Sequence, residues 1–295
     1  MGGGALSAQT LLVMPFTDGH QFLINMPMWF IAPLFFAELL NLLIRLPFKQ
    51  VPSTSLKETI LLFAYLALGA IAIELGGADG LPSGWLLLVC RTLFFLACLG
   101  MGRFYARVLE GYDTLPNVPY FALLLAVQLV GIAALHGRYT YIPSWCQFPG
   151  GVVGTYFVTI TGIAFLMRCC KMLAPSFGRS SFVAALAGNT FSIMCHHIFG
   201  FFLVCTCFGV LSVITPWFTS FDFTAYLSDW TYRWMPAAVP QTSLVYVAGG
   251  VFVSLLIHES WGRFKQLAMD AVHRGRTSLH QGQRGAGKGD SGEGA

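Results

Sequence analysis

Charge is what this 295-residue chain has least of. Asp, Glu, Lys and Arg together make up 10% of it, against 56% hydrophobic residues and 26 phenylalanines. A soluble domain carries about a quarter charged residues. The deficit, with a mean hydropathy of +0.67, excludes an ordinary soluble domain and points to a polytopic membrane protein. The net charge of +4 is small and gathered at particular loops, so nucleic acid is excluded as a partner. The eight cysteines (90, 98, 146, 169, 170, 195, 205 and 207) include no C-x-x-C pair, which removes the common zinc modules. They sit mostly in apolar runs, where cysteine serves as a small apolar filler. A cleavable signal peptide is also missing, since Met1 to Ala5 offer neither a basic region nor a continuous apolar one.

What is present is a series of apolar runs. A span needs about 20 mostly apolar residues, and seven are read: 28–46, 56–75, 82–102, 118–135, 151–167, 182–214 and 243–261. The sixth exceeds one crossing and is expected to begin with an interfacial or broken stretch before Asn189. The fold class expected is therefore all-α, a polytopic membrane helix bundle of about seven transmembrane helices. Turn residues mark the connections at 76–80, at Asp113 to Pro116, at Pro143 and from Pro236 to Pro240.

Loop charges orient the bundle. Arg45, Lys49, Lys57, Arg103, Arg107, Arg168, Lys171 and Arg179 fall on one side, joined by Arg263, Lys265, Arg274, Arg276, Arg284 and Lys288 of the tail. The other side holds only Arg138 and Arg233, beside Glu74, Asp79, Asp222 and Asp229. The positive-inside rule makes the first side cytoplasmic. This predicts residues 1–27 outside, a bundle over 28–261, and a cytoplasmic, basic, Gly-rich tail over 262–295 that is expected to be disordered. Trp29, Trp85, Trp145, Trp217, Trp230 and Trp234 fall at outer span ends or in outer loops, as an aromatic belt requires.

Polar residues at membrane depth mark the candidate site. Glu38 and Arg91 lie at similar depth in two spans running the same way, so an ion pair facing the interior is expected. His196 and His197 sit in the most apolar run of the chain. As helical neighbours they point about 100° apart, so at most one faces a given cavity. The same divergence argues against a haem or metal site at Cys195-His196-His197, and no metal cofactor is expected. Asn189 and Thr190 open the run as helix-capping types. Cys169-Cys170, between Arg168 and Lys171 at a cytoplasmic membrane edge, are open to lipidation as well as to a filler role.

Two segments carry a resemblance. Asn25-Met-Pro-Met-Trp29-Phe-Ile-Ala-Pro-Leu-Phe-Phe-Ala-Glu38 resembles a Pro-x-Trp-Phe span opening, and Gly188-Asn189-Thr190-x-Ser192-Ile193-Met194-x-x-His197 resembles a late Gly/Ser/Ile/His helix. The stretch from Arg91 to Tyr105 is similar to a Phe/Gly-rich span ending in a basic, aromatic loop. All three are similar to the acyltransferase 3 family of membrane O-acyltransferases, in the family's order, over residues 25–260. The resemblance implies acyl transfer, in the simplest case acetyl, to a hydroxyl of a cell-surface glycan or lipid-linked sugar. Acetyl-CoA or another acyl-CoA would be the donor, and the setting the cytoplasmic membrane and its lipid bilayer.

The resemblance also implies further N-terminal spans carrying an Arg and a His, which have no counterpart here. His20 lies upstream of Met28 but within no apolar span. A chain shortened at its N-terminus, and incomplete as a catalyst alone, is therefore the expectation. Glu38, Arg91, Asn189, His196 and His197 are expected to line the cavity, with His197 the weak substitute for the missing base. A seven-span receptor or sensor is the alternative reading, though the last span holds no lysine for a retinal. A small transporter is another, though no repeat relates the two halves.

Overall fold

The computed structural model describes residues 6–20, 22–52, 54–77, 81–136, 140–216, 221–234 and 242–286, with side chains for all of these except 23–25 and 271–286. Asp79, Arg138, Trp217, the connection from Pro236 to Pro240, and Lys288 lie outside the described residues. Those described form helices: α1 (Ala8–Leu12), α2 (Met14–Thr17), α3 (Ile31–Arg45), α4 (Ser55–Gly77), α5 (Gly84–Phe104), α6 (Asn117–Leu135), α7 (Gly151–Phe177), α8 (Ser181–Gly188), α9 (Thr190–Ile214), α10 (Phe223–Ser228) and α11 (Ser243–Ala286). No strand occurs among them, only an isolated antiparallel bridge between Ile142 and Gln147.

Among the described residues, seven helices are long and apolar enough to cross a membrane: Met26–Phe48, Ser55–Gly77, Gly84–Tyr112, Asn117–Leu135, Gly151–Phe177, Thr190–Ile214 and Ser243–Asp270. Their outward faces keep large apolar side chains uncovered, among them Phe35, Phe63, Leu125, Val130, Leu166 and Phe252. Water would disfavour such surfaces, whereas hydrocarbon does not. The chain is thus an all-α integral membrane protein. The long sixth run is indeed broken: α8 ends at Gly188 and α9 starts at Thr190, with Asn189 between them. The backbone of α11 continues as helix to Ala286.

The chain divides into two compact units, residues 1–185 and 186–295. In the first, α5 is the central helix, packed by α3 and α4. Its Cys90, Arg91, Leu96 and Ala97 are essentially inaccessible. The end of this unit where α3 finishes is locked by charge. Glu58 accepts two hydrogen bonds from Arg45 Nη1, at 3.2 and 3.0 Å, and lies 3.7 Å from Arg103 Nε. Asn41 Oδ1 in turn takes bonds from Arg45 Nε and the Tyr65 hydroxyl, both at 3.0 Å. A second lock holds the α5–α6 connection to α7. Arg168 and Lys171 donate to the Asp113 carboxylate at 2.7 and 3.1 Å, and Tyr105 donates to it at 2.6 Å. These donors, the Tyr105 hydroxyl foremost, hold the Asp113 carboxyl below its usual range.

In the second unit α9 and α11 cross in close contact. Glycine makes this possible: a Cβ on Gly200 would stand 2.6 Å from Gly250 Cα. Small residues let two backbones approach where lipid offers no hydrophobic drive to association. Phe201, Phe208 and Tyr246 then fill the space beside the crossing.

Candidate functional site

Among the described residues of the first unit, the charged group buried most completely is Arg91, 1% exposed, about two turns into α5. Its partner is not the one expected. Glu38 is exposed on α3 and receives only a long contact of 3.5 Å from Asn41 Nδ2. Arg91 instead turns toward the start of its helix, donating from Nε (2.9 Å) and Nη2 to the Ser144 carbonyl, and from Nη1 to the Asp18 carbonyl at 2.8 Å. The expected Glu38–Arg91 ion pair is therefore corrected. Carbonyl oxygens of the segments covering the start of α5 solvate the guanidinium at less desolvation cost than a second buried charge would incur.

Those carbonyls are presented by chain that follows and precedes the spans. Ser7 caps α1 through a reciprocal pair of bonds with Thr10, and α2 lies against α5, its Phe16 ring stacked 6.5 Å from Trp85. The segment then turns at Gly19, φ +79°. A Cβ there would meet Trp29 Cα and Cβ at 2.8 Å, so both the conformation and the space require glycine. Across from it, the Ile142–Gln147 bridge and the Pro143–Trp145 turn hold Ser144 and Trp145.

Between these segments sits His20. Its ring stacks on Trp145 with centroids 4.4 Å apart and faces Trp29 at 6.2 Å. The side chain is only 6% exposed. His20 Nδ1 lies 3.1 Å from the same Asp18 carbonyl that Arg91 holds. A carbonyl can only accept, so Nδ1 carries the proton and Nε2 carries the lone pair. No described residue hydrogen-bonds Nε2. Burial, with the nearby Arg91 charge adding to it, holds the imidazole pKa below its ordinary 6.5, against the opposing pull of the Asp18 carbonyl. The result is a histidine of fixed tautomer between the Arg91 guanidinium and the Asp18 carboxylate, whose Oδ1 lies 3.8 Å from Nδ1.

Arg91 also lies under Trp29, its guanidinium carbon 5.2 Å from the ring centroid. Three of its five N–H groups are used in the bonds above, which leaves donors for a further oxygen. Gly19 and Phe22, on either side of His20 in sequence, help line a cavity of about 560 Å³ whose other walls include Phe16, Met28, Ile31 and Phe35. Its lining is apolar, and its volume is within the range of about 300–1,000 Å³ common for small-molecule sites.

The remaining expected site residues belong to the second unit. His196 Nδ1 bonds the Ser192 carbonyl at 2.8 Å, and His197 Nδ1 bonds the Ile193 carbonyl at 3.0 Å. Each histidine is therefore braced by the preceding turn of its own helix. His197 also packs edge-on against Phe201, 5.4 Å between centroids. Asn189 makes no side-chain capping bond to α9, whereas Thr190 donates back to the Leu186 and Ala187 carbonyls. No group of three or more metal-ligating side chains is found among the described residues.

His20, Asp18, Ser144 and Trp145 were not assigned to the site from sequence. The available signal was weak: a Gly-His step nine residues before a tryptophan. The expectation that no span could hold His20 is correct as to the span. What holds it is a short turn clamped between two tryptophans. No family model matches the chain, and no curated protein or solved structure matches it.

Proposed function

We propose that the protein is a membrane O-acyltransferase in which His20 is the general base. The observation that supports this most is the shared Asp18 carbonyl. It fixes the Nδ1–H tautomer of His20 and holds Arg91 beside it, which leaves a basic Nε2 next to spare guanidinium donors. Acyl transfer to a hydroxyl needs these two functions. A base takes the hydroxyl proton as oxygen attacks the thioester carbonyl, and a fixed donor meets the negative charge developing on that carbonyl oxygen. His20 Nε2 supplies the first and Arg91 the second. The proton then leaves from His20 to the departing thiolate of the donor, which restores the neutral ring.

The donor in this reading is acetyl-CoA or a related acyl-CoA, and the acceptor a hydroxyl of a cell-surface glycan or lipid-linked sugar. The segments from Asn25 to Glu38 and from Gly188 to His197, similar to the acyltransferase 3 family, support both. The apolar cavity flanked by Gly19 and Phe22 is suited to the acyl side of the reaction. The loop charges favour the extracytoplasmic side for the end of the first unit that carries this site. Glu38, His196 and His197 have no chemical role in this scheme.

The test is transfer of labelled acetyl from acetyl-CoA to envelope glycan in membranes containing the chain. Label in the glycan that depends on the chain is expected. Equal labelling in membranes lacking it, with no other acetyltransferase of this type present, would overturn the reading.

A further inference from the structure

Two of the eight cysteines meet beside the candidate site without being part of it. Cys90 precedes Arg91 in α5, and Cys146 closes the turn that follows Pro143. Both are 0% exposed, and the Cys146 thiol donates only a long bond of 3.8 Å to the Pro143 carbonyl. They share one buried cluster with Ala72, Ile73, Leu87, Phe94 and Phe148. Two other contacts keep the same segments in register. Arg91 Nε reaches the Ser144 carbonyl at 2.9 Å, one residue from Cys90 and two from Cys146. The paired bonds between Ile142 and Gln147, at 3.0 and 3.1 Å, close the turn around Cys146.

The turn itself is held in an uncommon form. Cys146 has φ 50° and ψ 40°, the left-handed region that residues with a side chain seldom occupy. Packing from α4 adds to the constraint, because the Cys146 carbonyl rests against Gly76 where a Cβ would collide with it. The two cysteines are thus held in one buried cluster, with the Arg91–Ser144 bond crossing between their segments.

We propose that Cys90 and Cys146 form a disulfide that ties α5 to the Ile142–Gln147 turn. Two buried thiols in one cluster, on segments already joined by the Arg91–Ser144 bond, are placed for closure to the S–S length of about 2.05 Å. The oxidant is a disulfide carrier, for which oxidised glutathione serves in the test. One cysteine loses its proton and attacks the carrier's disulfide, releasing one carrier thiol and forming a mixed disulfide. The second cysteine loses its proton and displaces the other carrier thiol. Two protein thiols are oxidised, one carrier disulfide is reduced to two thiols, and the two protons go to the departing thiolates. Because both sulfurs are buried in the finished fold, exchange takes place while the turn is open. The bond then holds Ser144 and Trp145 against Arg91 and His20. This inference does not depend on the acyl-transfer reading.

The experiment is a count of free thiols. The full chain is extracted without reductant, incubated with oxidised glutathione in mild detergent during partial opening by denaturant, and returned to native conditions. Remaining glutathione adducts are removed enzymatically. The chain is then denatured and alkylated with a mass-tagged maleimide. Of the eight cysteines, six are expected to take the tag, rising to eight after full reduction, with a cross-linked Cys90–Cys146 peptide in the unreduced digest. Cys90→Ser and Cys146→Ser should each carry seven tags with or without reductant. Eight tags on the oxidised wild-type chain, or loss of two tags that persists in either serine variant, would overturn the proposal.

Discussion

His20 and the pair His196–His197 are opposite kinds of membrane-protein histidine. The pair stands in the middle of α9, the more conspicuous position in the sequence, yet each ring spends its Nδ1 on the carbonyl one turn back in its own helix. His20 stands in a short turn before α3, and its Nδ1 is fixed by a carbonyl that also binds a buried guanidinium from another helix. The first arrangement meets one ring nitrogen of each histidine within a single helix. The second assembles charge, tautomer and aromatic walls from three separate segments. A histidine held by its own helix needs no further role, whereas one assembled from distant parts is the better candidate for chemistry.

The largest effect expected from disturbing this contrast is at Arg91. Arg91→Leu leaves the Asp18 and Ser144 carbonyls without their donor, and hydrogen bonds to charged groups are worth about 1.5–3 kcal/mol each. A stability loss of about 3 kcal/mol or more is expected in thermal unfolding in detergent. Glu38→Gln, on an exposed face, should stay within about 0.5 kcal/mol of wild type. Comparable losses for both would reinstate the ion pair that the sequence suggests.

Trp145→Ala comes next. It removes the ring stacked on His20 and frees the imidazole to reorient. An aromatic pair is worth about 0.5–1.5 kcal/mol beyond its packing. Misplacement by an ångström can cost catalysis about 100-fold. A large fall in transfer rate beside a modest fall in melting temperature would sharpen the comparison. An unchanged rate would break it.

The pH dependence follows from the direction of the His20 shift. Its folded pKa lies below the unfolded value of 6.5 because burial disfavours the imidazolium. Above about pH 6.5 both states hold a neutral ring and His20 adds no slope. As pH falls below that value the unfolded chain takes the proton first, so stability declines until the folded pKa is reached. His20→Gln should remove this acid-side slope from a plot of unfolding free energy against pH. The ascending limb of the transfer rate should likewise lie below pH 6.5, leaving the rate flat near neutrality.

The smallest effect belongs to α9. His196→Ala or His197→Ala removes one hydrogen bond to the same helix. Either should cost about 0.5–1.5 kcal/mol and leave transfer unchanged.

Composition and apolar run length revealed the spans, because the bilayer imposes one dominant requirement on each. The break at Asn189 was also readable, as excess length in a single run. Arg91 was visible as a charge in an apolar helix, but its partners were not. Carbonyls of Asp18 and Ser144 have no sequence signature, and nothing in the residue types distinguishes them from a carboxylate at matching depth. The depth of Glu38 fixes its position along α3 and not the direction its side chain faces. His20 lies outside every apolar run, where a polar residue gives no signal of burial. The Cys90–Cys146 contact was hidden for a related reason, since one partner lies in a span and the other in a loop. The helical continuation of α11 to Ala286 runs through a polar, Gly-containing stretch, and no feature of the sequence accounts for it.

The most direct test of the central claim compares His20→Gln with His197→Gln for acetyl transfer to envelope glycan, at matched levels of folded protein. Loss of the general base should lower the rate by about 100- to 10,000-fold in His20→Gln, while His197→Gln keeps a rate near that of wild type. A His20→Gln chain that transfers normally, or a loss confined to His197→Gln, would contradict the account.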